Sequence, residues 1–342
     1  MTFNYLIFFI IFLMIIGIYE FIQRSRKDTF SKMTKEKIRK YLSNPKNKRP
    51  FMWIHVPYEY NTRNWLNFMS RKTQHLNQPY LEMCLESIIN HCDDTMNICI
   101  VDDSSFSDII PDWEINMESL SSPTLEYVRQ IALTKLVYLY GGMITPISFV
   151  CLKDMKELYL KGIKDNKMFV CENISKHLSS DFYPDSRFIG AEKENKTVLD
   201  LIRYMEQEIS EDYTYEEKFI GKFDNWCSNA VKEGNANLIP GSGVGVKDAN
   251  KEAIKLNDLL DSTYPINLCP CAYGVWIPMN ELLKRVVYGW FLRMDKAQIL
   301  SSDFSLSKIM MLSLVPPEQD KDHEDSNKIF DGTSKSTTEF FT

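Results

Sequence analysis

The chain has 342 residues, of which 44% are hydrophobic and 13% aromatic, and its formal net charge at pH 7 is -6. That length and apolar fraction support one large buried core once the two ends are set aside. The acidic balance argues against nucleic acid as the main partner, and no internal repeat recurs at solenoid periods.

The N-terminal stretch Phe3 to Tyr19 is 17 residues without a charge. At ~1.5 Å per residue a helix of that length spans about 26 Å, enough to cross a bilayer core if its ends snorkel. A cleaved signal peptide would need a basic start and a small-residue cleavage site. MTFN has no basic side chain, so an uncleaved anchor over residues 1–23 is expected. Arg24, Arg26, Lys27, Lys32, Lys35, Lys37, Arg39 and Lys40 follow it and none precede it. The positive-inside rule therefore puts the globular part in the cytosol as a single-pass membrane protein. A type II arrangement with a luminal domain is the alternative. This basic linker, 24–49, also suits acidic headgroups, so membrane lipid is an expected partner.

Phe51 to Pro57 (FMWIHVP) reads as a first buried strand, and Tyr58, Glu59 and Tyr60 after it are candidates to line a nucleotide pocket. Tyr80 to His91 has Leu81, Leu85, Ile88 and Ile89 at helical spacing. Asn97 to Val101 (NICIV) is a second strand, ending in Asp102-Asp103. Strand, helix, and a strand ending in carboxylates is how a nucleotide-binding α/β layer begins, with ligands collecting at the carboxyl ends of strands. The strands led by Trp53 and Ile98 are expected to be adjacent and parallel.

Ser122-Pro123 reads as a helix start, with Ser as N-cap and Pro at the first position, and Gly141 as a left-handed stop. Leu125, Val128, Ala132, Leu136 and Leu139 form its buried stripe. Arg129, Leu133, Leu136 and Tyr140 share the adjoining face, aiming Arg129 at a groove. Gly141-Gly142 then lead into a short strand, where glycine permits close backbone approach to a ligand. The plain alternative is an amphipathic helix with a glycine cap.

Helix, Tyr140-Gly141-Gly142, then strand resembles the DXD-containing glycosyltransferases of the mannosyltransferase and capsular-polysaccharide-synthesis families. Leu136, Tyr138, Tyr140, Gly141 and Gly142 match their signature, and Trp53-Ile54-His55 and Val101-Asp102-Asp103 resemble their first two strand ends. The likeness implies a GT-A-like α/β/α single domain over 50–315 and a nucleotide sugar as partner. It also implies donor-binding roles for Trp53, His55, Tyr58, Asp102, Asp103, Arg129, Gly141 and Gly142. Two departures stand out. The family's paired carboxylates fall on Pro146 and Ser148, and its arginine falls on Leu133, one turn from Arg129. A hard divalent ion needs oxygen ligands of the carboxylate kind, so no metal cofactor is expected in the usual DXD mode. Arg129, Lys135 and Lys153 are then the cations that would stabilise a leaving diphosphate. Asp102 and Asp103 would contact the ribose or a relocated ion, and Glu172 is the weakest candidate for an acceptor base. Two other readings stay open: a catalytically inactive binding or structural member, and an unrelated α/β membrane-associated protein. Donor, acceptor and oligomeric state are not legible.

Of the eight cysteines, Cys84, Cys92, Cys99, Cys151, Cys171 and Cys227 read as mostly buried reduced thiols. Cys269-Pro270-Cys271 is a close pair, weak as a zinc motif without a second pair. Lys167 to Cys171 and Arg187 to Ala191 read as strands, Val198 to Ile209 as a helix, and Ile239 to Val246 as a glycine-rich turn beside the cleft. Helices are expected from about Asn280 to Phe291 and over Ser302 to Leu314. The sequons at Asn173 and Asn195 read as chance triplets. The polar run from Pro316 onward is a disordered tail by composition.

Overall fold

The computed structural model describes residues 36–43, 48–57, 78–174, 182–211 and 221–315. The anchor, the tail and the Tyr58–Tyr60 segment lie outside these. No helix among the described residues is long and apolar enough to cross a membrane.

The architecture is mixed α/β around a central mixed sheet. Its strands are β1 (Phe51–His55), β2 (Asn97–Val101), β3 (Gly142–Ile144), β5 (Met168–Ile174), β6 (Phe182–Ala191) and β7 (Ala236–Ile239), in the order β2-β1-β3-β6-β5-β7. A second, two-stranded sheet pairs β4 (Phe149–Cys151) with β8 (Gly274–Trp276). β1 runs parallel to both β2 and β3, with Trp53 opposite Cys99 and Ile144, as the sequence led us to expect for the first two strands. β6 is antiparallel to β3 and to β5, while β5 and β7 are parallel. Chain order thus reverses direction at β1, with β2 on one side and β3 on the other. Open α/β sheets bind ligands at such a switch point, beyond the carboxyl ends of the strands.

Strand alternation divides the interior into two apolar layers. Met52, Ile54 and Val56 face a layer containing helix Pro79–Cys92, the β4–β8 sheet and helix Ser305–Ser313. Trp53 faces the other, with helices Thr124–Tyr140, Lys196–Ser210 and Lys222–Lys232. Ile38, in the helical residues 36–43, is also buried there.

Two helix expectations change. Helix Thr124–Tyr140 does not begin on a Ser122 cap: Pro123 holds the N-cap position without a side-chain bond. The carbonyls of Ser121 and Pro123 accept the first amides instead, from Leu125 and Glu126. The expected helix 280–291 is broken into Met279–Lys284 and the 3-10 turns Val286–Tyr288 and Phe291–Arg293, because Arg285 is extended.

Gly142 marks the tightest contact between strands. Its φ is +97°, and a Cβ there would sit 2.1 Å from the Phe51 carbonyl oxygen. Gly142→Ala should therefore lower unfolding stability by about 2–4 kcal/mol, from left-handed strain plus overpacking. Gly234, at φ +77° with nothing within 4 Å, isolates the strain alone, and Gly234→Ala should cost about 1 kcal/mol. Urea denaturation of the two variants checks this, and equal losses would refute the packing role.

Candidate functional site

The carboxyl ends of β1 and β2 meet the amino-terminal half of helix Thr124–Tyr140, and Asp103 sits where they join. His55 Nε2 lies 2.9 Å from its Oδ1. Arg129 donates to it through two nitrogens, Nε to Oδ1 at 2.9 Å and Nη2 to Oδ2 at 2.5 Å. The paired donors of the guanidinium match the two oxygens of the carboxylate, a geometry lysine cannot supply. Burial opposes the carboxylate charge, but the hydrogen bonds from His55 and Arg129 outweigh it and hold Asp103 well below the usual carboxylate range. His55 in turn stacks on Phe106 at 5.6 Å.

The cluster extends along the same helix to β6. Glu126 lies 3.9 Å from Arg129 Nη1 and is half exposed. Gln130 donates to the Ser186 hydroxyl at 2.5 Å, and that hydroxyl and the Ser186 amide both donate to Asp224. Next to Ser186, Arg187 makes a bidentate pair with the buried Asp185 and lies over the Trp276 ring at 5.5 Å. Desolvation opposes the Arg187 charge, but Asp185, aided by Asp224 and Glu126, outweighs it and raises its pKa. Asp185, Ser186, Arg187 and Asp224 gave no motif in the sequence. The consecutive polar run Asp185-Ser186-Arg187 ahead of FIGA is the one available signal for the first three, and it says nothing about partners.

Several expected site residues are elsewhere or otherwise engaged. Trp53 is fully buried and its indole donates to the Gly141 carbonyl at 3.0 Å, so it is core and not a stacking platform. Gly141 has positive φ but an extended ψ of -174°, so it ends the helix without entering the left-handed helical region. Its neighbour Gly142 is closed off by Phe51, so the glycine pair approaches backbone and not a ligand. Asp102 is buried and accepts from the Ser104 and Ser105 hydroxyls, at 2.8 and 2.6 Å, capping its own turn. Lys135 pairs with Glu206 at 2.6 Å, and Lys153 donates to the Pro270 carbonyl. Glu172 pairs with Lys247 at 2.6 Å and accepts the Gly241 amide at 2.8 Å, which pins the glycine-rich turn. A Cβ at Gly245 would meet the Gly274 carbonyl oxygen at 2.3 Å, so that turn is glycine-rich for packing.

The DXD-equivalent position of Ser148 is closed as well. Ser148 is buried and its hydroxyl donates to the Ile277 carbonyl at 2.8 Å. A carboxylate in its place would face that oxygen without a proton to give. Among the described residues, no group of three His, Cys, Asp or Glu side chains is arranged to hold a metal ion. Cys269 and Cys271 are joined as a disulfide, while the other six cysteines are buried and free. Burial raises the thiols of Cys84, Cys99, Cys151, Cys171 and Cys227, leaving little thiolate for chemistry. Both sequon amides are engaged: Asn173 donates to Asp185 and Asn195 donates to the Asn166 carbonyl while capping helix Lys196–Ser210. A polar hollow of about 410 Å³ between that helix and helix Lys222–Lys232 includes Lys196, Asp200, Trp226 and Asn235. It lies at the amino end of β7, away from the Asp103 cluster.

The chain matches no protein-family model and no curated protein. Among solved structures it is similar to the PaToxG glycosyltransferase at 12% identity and a TM-score of 0.26, over 87% of this chain and 97% of that one.

Asp103→Asn should destabilise the fold by about 2–3 kcal/mol at pH 7, since it removes the bidentate carboxylate from the buried Arg129 and leaves the looser Glu126 as a carboxylate beside it. Asp103 titrates lower in the folded chain than in the unfolded one. Its contribution is therefore complete above the ordinary carboxylate range near pH 4 and is lost as pH falls below that, through the folded value. The stability gap between wild type and variant, followed by denaturation, should shrink as pH falls below about 4. A gap that instead grew in acid would overturn the assignment.

Proposed function

We propose that this chain is a membrane-anchored, glycosyltransferase-like protein that binds a nucleotide-linked sugar at the carboxyl edge of β1, β2 and β3. The observation carrying this reading is the assembly of Asp103, His55, Arg129, Glu126 and Arg187 at the topological switch point. The resemblance of residues 136–142 to the DXD families supports it.

The charge balance narrows which part of such a ligand the cluster suits. Four carboxylates, Asp103, Glu126, Asp185 and Asp224, stand against two guanidinium groups, with His55 beside them. An excess of carboxylate repels a bare diphosphate, whereas sugar hydroxyls donate to carboxylates and accept from guanidinium. The cluster therefore fits the carbohydrate portion, with half-exposed Glu126 and Arg187, 36% exposed, as its solvent-facing members.

A second reading, a catalytically inactive binding or structural member, is favoured by one specific observation. Asp103, Arg129 and His55 already satisfy one another, as they would in a cluster that holds the fold and nothing else.

Titration of nucleotide sugars into the full chain in detergent, with and without manganese, separates the two. The donor reading expects binding that survives a chelator and weakens by about tenfold or more in Arg187→Gln, the loss of a charged hydrogen bond. Absence of binding to every donor sugar would leave the structural reading standing. Binding that required manganese would refute the metal-free mode.

A further inference from the structure

Large hydrophobic side chains exposed to solvent are concentrated on one side of the domain. Six of the ten among the described residues are Tyr264, Val286, Val287, Met311, Leu312 and Val315. They come from three segments that hydrogen bonds tie together. Tyr288 donates to Asp261 at 2.9 Å, Ser305 to the carbonyls of Ser262 and Tyr264, and Lys308 to the Thr263 carbonyl at 2.8 Å. Within the last helix, Met311 and Leu312 lie three and four residues after Lys308 and share a face with it, and Val315 follows just past the helix end.

The tip of this surface is built to protrude. Val286 and Val287 are 88% and 74% exposed on a 3-10 turn whose next residue, Tyr288, is buried and anchored to both Asn257 and Asp261. Arg285, just before it, is braced by Glu281. Exposed Lys284 and Arg285 flank the valines, and Lys308 lies near Tyr264. Short aliphatic groups at a tip, with cations and a tyrosine behind them, match the depth profile of a lipid interface: aliphatic carbon below, aromatic and cationic groups at the headgroups.

We propose that this surface, led by Val286 and Val287, rests on an anionic phospholipid bilayer. The inference rests on the anchored reading of Phe3 to Tyr19. Residues 20–35 can span about 55 Å at most, which keeps the domain beside the membrane and makes the second contact intramolecular. The chain's net charge of -6 opposes an anionic surface as a whole, and Glu281 offsets Arg285, so Lys284 and Lys308 set which side approaches.

The test places a nitroxide label at Val287→Cys in the full chain, reconstituted in phosphatidylcholine vesicles with and without phosphatidylserine. Leu160→Cys, an exposed position outside this surface, serves as control. The label at 287 should gain oxygen accessibility and lose accessibility to a water-soluble relaxant, more so with phosphatidylserine, while the control stays aqueous. A chain that floats with vesicles but keeps the 287 label aqueous overturns this surface and spares the anchor. A chain that does not float overturns both. A label immobilised in proportion to protein concentration and without oxygen access would assign the surface to a second copy, and overturn the proposal.

Discussion

The Asp103 carboxylate is the point at which three separately formed pieces of this chain are fixed to one another. It follows β2, it binds His55 at the end of β1, and it takes both hydrogen bonds from Arg129 on the long helix. A buried guanidinium without a counter-ion costs several kcal/mol, so the helix cannot slide or rotate on the sheet without breaking this pair. Everything downstream of the helix inherits its placement: Gly141, where the helix ends under the Trp53 indole, and β3, which must then run alongside β1.

The same interaction decides what the cleft has left to offer. Arg129 is nearly fully buried and both of its matched donors point at Asp103. A phosphate would have to displace a carboxylate already held in the best available geometry, and would gain little from the exchange. The charged groups that stay partly exposed at this edge of the sheet therefore lie outside that pair. These are Glu126, tied loosely to Arg129, and Arg187, held by Asp185 and lying on Trp276. Arg187 belongs to the one antiparallel strand inside an otherwise parallel set, which brings the amino-terminal half of β6 to the carboxyl ends of its neighbours.

Local periodicity made much of the scaffold legible. FMWIH and NICIV are apolar runs of strand length, and the sequence indicated both strands and their parallel pairing. The helix over 124–140 was visible from its three-and-four stripe. Non-local pairing was not visible. RFIGA reads as five strand residues, yet β6 runs from Phe182 because Cys171 to Ile174 of β5 provide partners for Phe182 to Asp185. The helix expected near 280–291 breaks because tertiary contacts of Tyr288 with Asn257 and Asp261 favour a turn. In the site, His55, Asp103 and Arg129 were all named from sequence, though as ligand contacts and not as partners of one another. Single-sequence reasoning supplies residue types at strand ends. It does not show which opposite charges already neutralise each other.

The glycosyltransferase-like signature shows why that distinction matters. The positions that match it are those the fold itself requires. Leu136 is fully buried, Tyr140 donates to the Ile109 carbonyl at 2.7 Å, and the Tyr138 ring packs partly buried against the Trp53-side layer. Gly141 receives the Trp53 indole, and Gly142 passes Phe51 with no room for a Cβ. The positions that fail to match, Pro146 and Ser148, are those that metal-assisted chemistry would require, and Ser148 has been absorbed into the packing through its bond to Ile277. A motif of this kind has two layers under different physical constraints, one set by packing and backbone geometry, the other by the ligand. Agreement at the first attests to a helix–glycine–strand corner, and the second is not met, since Pro146 and Ser148 stand at its positions.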